Sequence, residues 1–210
     1  MLSKINEFHL DILKEIGNIG AGHATTALSS LLGSSIDMKV PHVNIVSFNE
    51  VTERFGGEEA IIAAVFLRIE GDAPGSMFFV LTIEQASQLL TKITGKAIDL
   101  SEPPYDELAM SGFLEIGNIL TGSYVSSLAD FTKLNLHPTV PAVGIDMAGA
   151  LIHYGLIQLS KESDYALIID TMFLESDNDI SSYLKGQVLF MPDPESFRTI
   201  FSALGVPLDD

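Results

Sequence analysis

An interval of 100 residues separates two near-copies of one segment. DILKEIGNIGAG starts at Asp11 and SGFLEIGNILTG at Ser111, and both contain EIGNI. The correspondence continues without insertion: Gly22 with Gly122, Leu28 with Leu128, and PHVNI from Pro41 with PAVGI from Pro141. Two copies are too few for a solenoid. They predict a duplicated unit closed about a pseudo-two-fold axis. The 210 residues then form one domain, 1–210, built of two repeats at about 5–96 and about 103–206.

Each unit predicts the same elements. A long helix comes first, at about Ile5–Leu32 and about Pro104–Lys133, with Pro103–Pro104 at the start of the second. In the first helix Ile12, Leu13, Ile16, Ile19, Ala27, Leu28 and Leu31 recur at helical spacing. The repeated proline opens a strand, VPHVNIVSF or VPAVGIDM. A helical connector follows, one turn in NEVTERFGG and longer in AGALIHYGLIQLS. Two strands come next, EEAIIAAVFLRIEG and GSMFFVLT or DYALIIDTMFLE and KGQVLFMP, and a short helix closes each unit. Short polar turns such as EGDAPG make the strands antiparallel. The fold class is α+β: about six antiparallel strands, in one sheet or two, with helices packed on them.

Much chemistry is excluded. With no cysteine there is no disulfide, thiolate nucleophile or Cys-type zinc site. His9, His23, His42, His137 and His153 make no metal-ligand spacing, so no metal of its own is expected. His23 falls on the apolar side of its helix and reads as a core histidine. GNIGAGHA is glycine-rich but is not a phosphate loop, because its spacing is GxxGxG and it sits inside a helix. No GxSxG occurs. A net charge of −17 makes nucleic acid and anionic lipid poor partners. The same acidity keeps a chain soluble, or steers it toward a partner with exposed lysines. The longest strongly apolar run, Ala60–Leu67, is too short to span a bilayer, and the N-terminus has acidic residues where a signal peptide needs an apolar stretch. The expectation is a cytoplasmic protein.

What remains is one helix face, kept twice. With Asp11 at zero, about 100° per residue puts Glu15 near 40°, Asn18 near −20° and Gly22 near 20°. Ser111, Glu115, Asn118 and Gly122 repeat the arrangement. Thr25 and Thr26 flank the first pair, Val125 and Ser126 the second. Asn and Gly weaken a helix, Gly by about 1 kcal/mol relative to Ala, so a merely solvated face has no use for them. The bland readings are solvated carboxylates at Glu15 and Glu115 and close helix approach at Gly17 and Gly20. Gly22 and Gly122 lie on the polar face itself, where a missing side chain admits a partner's backbone. A carboxamide can accept a hydrogen bond from water while donating one to an oxyanion. Phosphoryl transfer depends mainly on positioning and charge stabilisation, so such a group suits it. A carboxylate one turn away can pair with a partner's lysine.

The pattern D/S-x3-E-x2-N, with 22 residues between the asparagine and a following proline, resembles the signature of the CheC/CheX/FliY family of chemotaxis phosphatases. It occurs twice, as Asp11, Glu15, Asn18 and Pro41, then Ser111, Glu115, Asn118 and Pro141. Two motifs in one chain, with no added switch domain after Asp210, are most similar to the CheC branch. The resemblance implies an enzyme that hydrolyses the aspartyl phosphate of the response regulator CheY. Asn18 and Asn118 would orient the attacking water, and Glu15 and Glu115 would pair with the regulator's lysine. Asp11, Gly22, Ser111 and Gly122 would contact the partner, and Mg2+ would be held by the regulator. It also implies a second partner, the receptor deamidase CheD. The alternative is a docking protein that binds phosphorylated CheY or CheD without turnover. A structural role in the flagellar switch is a third reading, which the missing extra domain weakens.

Overall fold

The computed structural model describes residues 5–33, 35–158, 165–175 and 183–208. Leu159, Ser160 and Asp164, which pattern assigns to the second connector and the strand after it, lie outside that set.

The two long helices, α1 (Glu7–Leu32) and α4 (Glu107–Thr132), have 26 residues each. Their ends follow from local chemistry. The Asn6 side chain accepts the His9 backbone N–H, and the His9 ring reaches back to the Asn6 backbone, closing a capping box. Gly33, left-handed at φ 64°, ends α1. The second helix starts later than its prolines suggest. The Asp106 carboxylate accepts the Ala109 N–H at 2.8 Å and caps α4 there, leaving Pro103–Pro104 in the preceding turn.

After α1 come β1 (Ile36–Lys39), β2 (Val43–Ser47), α2 (Phe48–Arg54), β3 (Ile61–Gly71), β4 (Gly75–Thr82) and α3 (Ile83–Thr94). After α4 the same order returns as β5 (Leu136–Pro138), β6 (Ala142–Met147), α5 (Ala148–Gln158), β7 (Tyr165–Glu175), β8 (Tyr183–Pro192) and α6 (Pro194–Ala203). Among the described residues eight strands form one antiparallel sheet in the order β1-β7-β8-β4-β3-β5, with β2 also on β7 and β6 also on β3. The count exceeds six because β1 and β5 are separate strands of four and three residues, IDMK and LHP, too short and polar to register in a pattern. Both strands at each sheet edge pair with the other half of the chain: β1 and β2 with β7, β5 and β6 with β3.

The sheet is covered on both faces, which explains its long apolar runs. Alternate residues of β4 supply two cores: Met77, Phe79 and Leu81 pack under α1, α4, α3 and α6, while Phe78 and Val80 pack under α2 and α5. Each such buried Phe or Leu contributes about 1.5–3 kcal/mol. On the first face Phe113, Ile116 and Leu120 of α4 and Leu13, Ile16 and Leu28 of α1 are buried. Ala27 and Leu31, expected in that set, are exposed, because the buried line ends as Ala21–Ala24–Leu28 and both fall off it. The helices approach each other where Gly20 meets α4: a Cβ there would lie 3.0 Å from Tyr124 Cδ1 and 3.2 Å from the Ser123 carbonyl oxygen. Tyr124 is buried beside this crossing, its hydroxyl 3.1 Å from Thr171 Oγ1, and burial pushes its pKa up to about 12.

Gly117 seats α4 on the sheet, since a Cβ there would collide with the Val65 side chain. The equivalent Gly17 has room, its nearest atoms being Val40 methyl carbons at 3.5 Å. Gly117→Ala therefore destabilises by about 1–3 kcal/mol through overpacking. Gly17→Ala is neutral or stabilising by up to about 1 kcal/mol through helix propensity. Urea unfolding of the two variants distinguishes these outcomes.

Candidate functional site

The structure brings each set of predicted residues onto one face of its helix. On α1, Asp11, Glu15 and Gly22 are exposed and Asn18 is half-buried; on α4, Ser111, Glu115 and Asn118 are exposed and Gly122 is half-buried. Neither Glu15 nor Glu115 forms an ion pair among the described residues. A Cβ built at Gly22 or Gly122 meets nothing within 4 Å, so packing inside the chain does not require glycine at either place.

The two asparagines differ. The Val40 N–H donates to Asn18 Oδ1 at 3.0 Å, and Asn18 Nδ2 donates to the Val40 carbonyl at 3.5 Å. Val40 is buried in the link between β1 and β2, directly before Pro41. Asn118 has no such hold. Its carboxamide has no hydrogen-bonding partner among the described residues, and the corresponding Val140 is 91 % exposed. The Asn18 carboxamide is thus turned to its own backbone, while that of Asn118 is presented to solvent. Pattern reads Pro41 and Pro141 as strand openers. Pro141 directly precedes β6, whereas Pro41 stands two residues before β2 and beside the grip on Asn18. The asparagine-to-proline spacing is the same in both repeats, yet among the described residues only Asn18 makes this contact.

Three other expectations need correction. His23 is exposed, with Nδ1 3.4 Å from Ser127 Oγ, because position 23 falls on the rim of the α1–α4 contact rather than in it. The buried histidine is His9, 7 % exposed, which bonds Asn6 and the Val206 carbonyl and meets the Phe201 ring edge-on. Val125 is buried in the core and does not flank Asn118, and the Thr25 hydroxyl is engaged by the Ala21 carbonyl. Among the described residues no cluster of His, Asp or Glu could hold a metal ion, and no helix is long and apolar enough to cross a membrane.

A family model described as CheC-like matches residues 8–45 and 114–145, and each stretch contains one Glu–Asn pair and its proline. CheY-P phosphatase CheC of Bacillus subtilis (strain 168) is 43 % identical over 205 residues, covering 97 % of this chain and 97 % of that protein. The chain belongs to the CheC-like family. The flagellar motor switch phosphatase FliY of the same organism is 27 % identical over 139 residues, with this chain spanning 36 % of its length. Among solved structures, Thermotoga maritima FliY superposes with a TM-score of 0.75 at 18 % identity, covering 96 % of this chain and 98 % of that one. The FliM middle domain of Helicobacter pylori follows at 0.65 and 10 %, covering 95 % and 99 %. At such identities the likeness establishes the CheC-like fold alone.

The unequal asparagines have unequal structural consequences. Asn18→Ala strips the buried Val40 N–H of its acceptor and costs about 1–3 kcal/mol. Asn118→Ala, at an exposed site, stays within about 0.5 kcal/mol of the parent. Thermal or urea unfolding of the two single variants measures the difference.

Proposed function

We propose that this chain hydrolyses the aspartyl phosphate of CheY in the cytoplasm, and that the α4 site does most of the work. Support comes from the 43 % identical relative, itself a CheY-P phosphatase. The observation that carries the reading is the exposed Glu115–Asn118 pair, whose carboxamide has no hydrogen-bonding partner among the described residues.

With the regulator docked along α4, Glu115 pairs with its active-site lysine and fixes the register of the helix. Asn118 accepts a hydrogen bond from a water and holds it in line with phosphorus. The water oxygen attacks, the bond from phosphorus to the aspartate oxygen breaks, and the products are inorganic phosphate and a free carboxylate. The water's protons pass to phosphate and solvent. Mg2+ belongs to the regulator's site, where it offsets phosphate charge. Ser111, Gly122 and their counterparts Asp11 and Gly22 line the contact, and the bare helix surface at the glycines admits partner backbone. Asn18 can act in the same way only after it leaves Val40, so the α1 site contributes less in the resting conformation. CheD is the second partner, on a surface away from both stripes.

Loss of acid-labile phosphate from phosphorylated CheY tests the assignment. Asn118→Ala lowers turnover by at least about tenfold, as loss of the group that positions the attacking water does, and leaves binding intact. Asn18→Ala lowers it by less. If Asn118→Ala turned over at the parent rate, the assignment would be wrong. If the parent bound phosphorylated CheY without accelerating phosphate loss, the docking reading would replace it.

A further inference from the structure

The polar stripes have an apolar end. Leu108 and Phe8 stand at equivalent places in the two helices, three residues before Ser111 and Asp11, and are 65 % and 60 % exposed. By helical arithmetic both lie within about 20° of the Glu115 or Glu15 line, and about 10 Å toward the helix N-terminus from it. A single exposed leucine on a soluble protein means little. Here two large apolar side chains, different in kind, occupy the same position on the same stripe in both halves. Leu31 and Phe131 also correspond and are exposed, but they fall near 200°, off the stripe. Local structure does not demand Leu108: it sits in the first turn, where the Asp106 cap already secures the helix end.

We infer that Leu108 is an apolar anchor for the response regulator, setting affinity and register on α4, with Phe8 its counterpart on α1. The inference rests on the phosphatase reading above. The partner that fits presents an apolar surface about 10 Å from its active-site lysine along the helix axis. Glu115 then supplies charge, Asn118 the water, and Leu108 buried apolar area, the part of an interface that most strengthens binding. An anchor that holds substrate and transition state equally changes KM and not kcat.

Steady-state hydrolysis of CheY phosphorylated with acetyl phosphate tests this in the full chain. Leu108→Ala raises KM about five- to tenfold and Leu108→Asp by more than about tenfold, with kcat within about twofold of the parent. The position is exposed, so the unfolding midpoints of both variants stay close to the parent's and separate docking from folding. Asn118→Ala, run alongside, loses kcat. If both Leu108 variants kept the parent KM, or lost kcat instead, while Asn118→Ala still lost turnover, the anchor would be overturned and the phosphatase reading would stand. If Asn118→Ala kept the parent kcat, that reading would fall, and the anchor with it.

Discussion

Strands β3 and β7 each carry two short strands from the other half of the chain on their outer edge. The rest of the architecture follows from this exchange. Neither half has the partners to complete its own sheet edge, so the two fold as one sheet with both faces covered. The long strands also receive the helices, since Gly17 lies against Ile169 of β7 and Gly117 against Val65 of β3. Seated by their glycine faces, α1 and α4 turn their Glu–Asn stripes away from the sheet and toward solvent. The position of the candidate site is a consequence of how edge strands are shared.

Although this exchange is the same in both halves, the two stripes differ. The link between β1 and β2 dips inward at Val40 and captures Asn18, whereas the link before β6 leaves Val140 outside. A polar backbone group buried at Val40 needs a partner, and Asn18 supplies it. One carboxamide therefore secures structure, while its counterpart is exposed and without a hydrogen-bonding partner among the described residues.

Much of this was legible in the sequence, for a physical reason. The ends of α1 and the length of both long helices follow local rules of capping and periodicity, and Glu15, Asn18, Glu115 and Asn118 stand out by recurring on one helix face, although Asn18 also serves the fold by holding Val40. What escaped depends on distant contacts. IDMK and LHP become strands only because β7 and β3 offer them an edge, and nothing local marks them. His23 and Val125 were misplaced because the α1–α4 crossing, not the sheet alone, decides which side of each helix is dry. The grip of Val40 on Asn18 spans 22 residues and leaves no trace in the local pattern, since Pro141 follows Asn118 at the same spacing without it.

The central claim is that a water held by Asn118 attacks phosphorus on a docked regulator. A single turnover of phosphorylated CheY in 18O-labelled water tests it most directly. On this mechanism the parent chain accelerates entry of one solvent oxygen into inorganic phosphate, and Asn118→Ala does not while still binding the regulator. Label in the regulator's aspartate carboxylate, or equal acceleration by the variant, would contradict it.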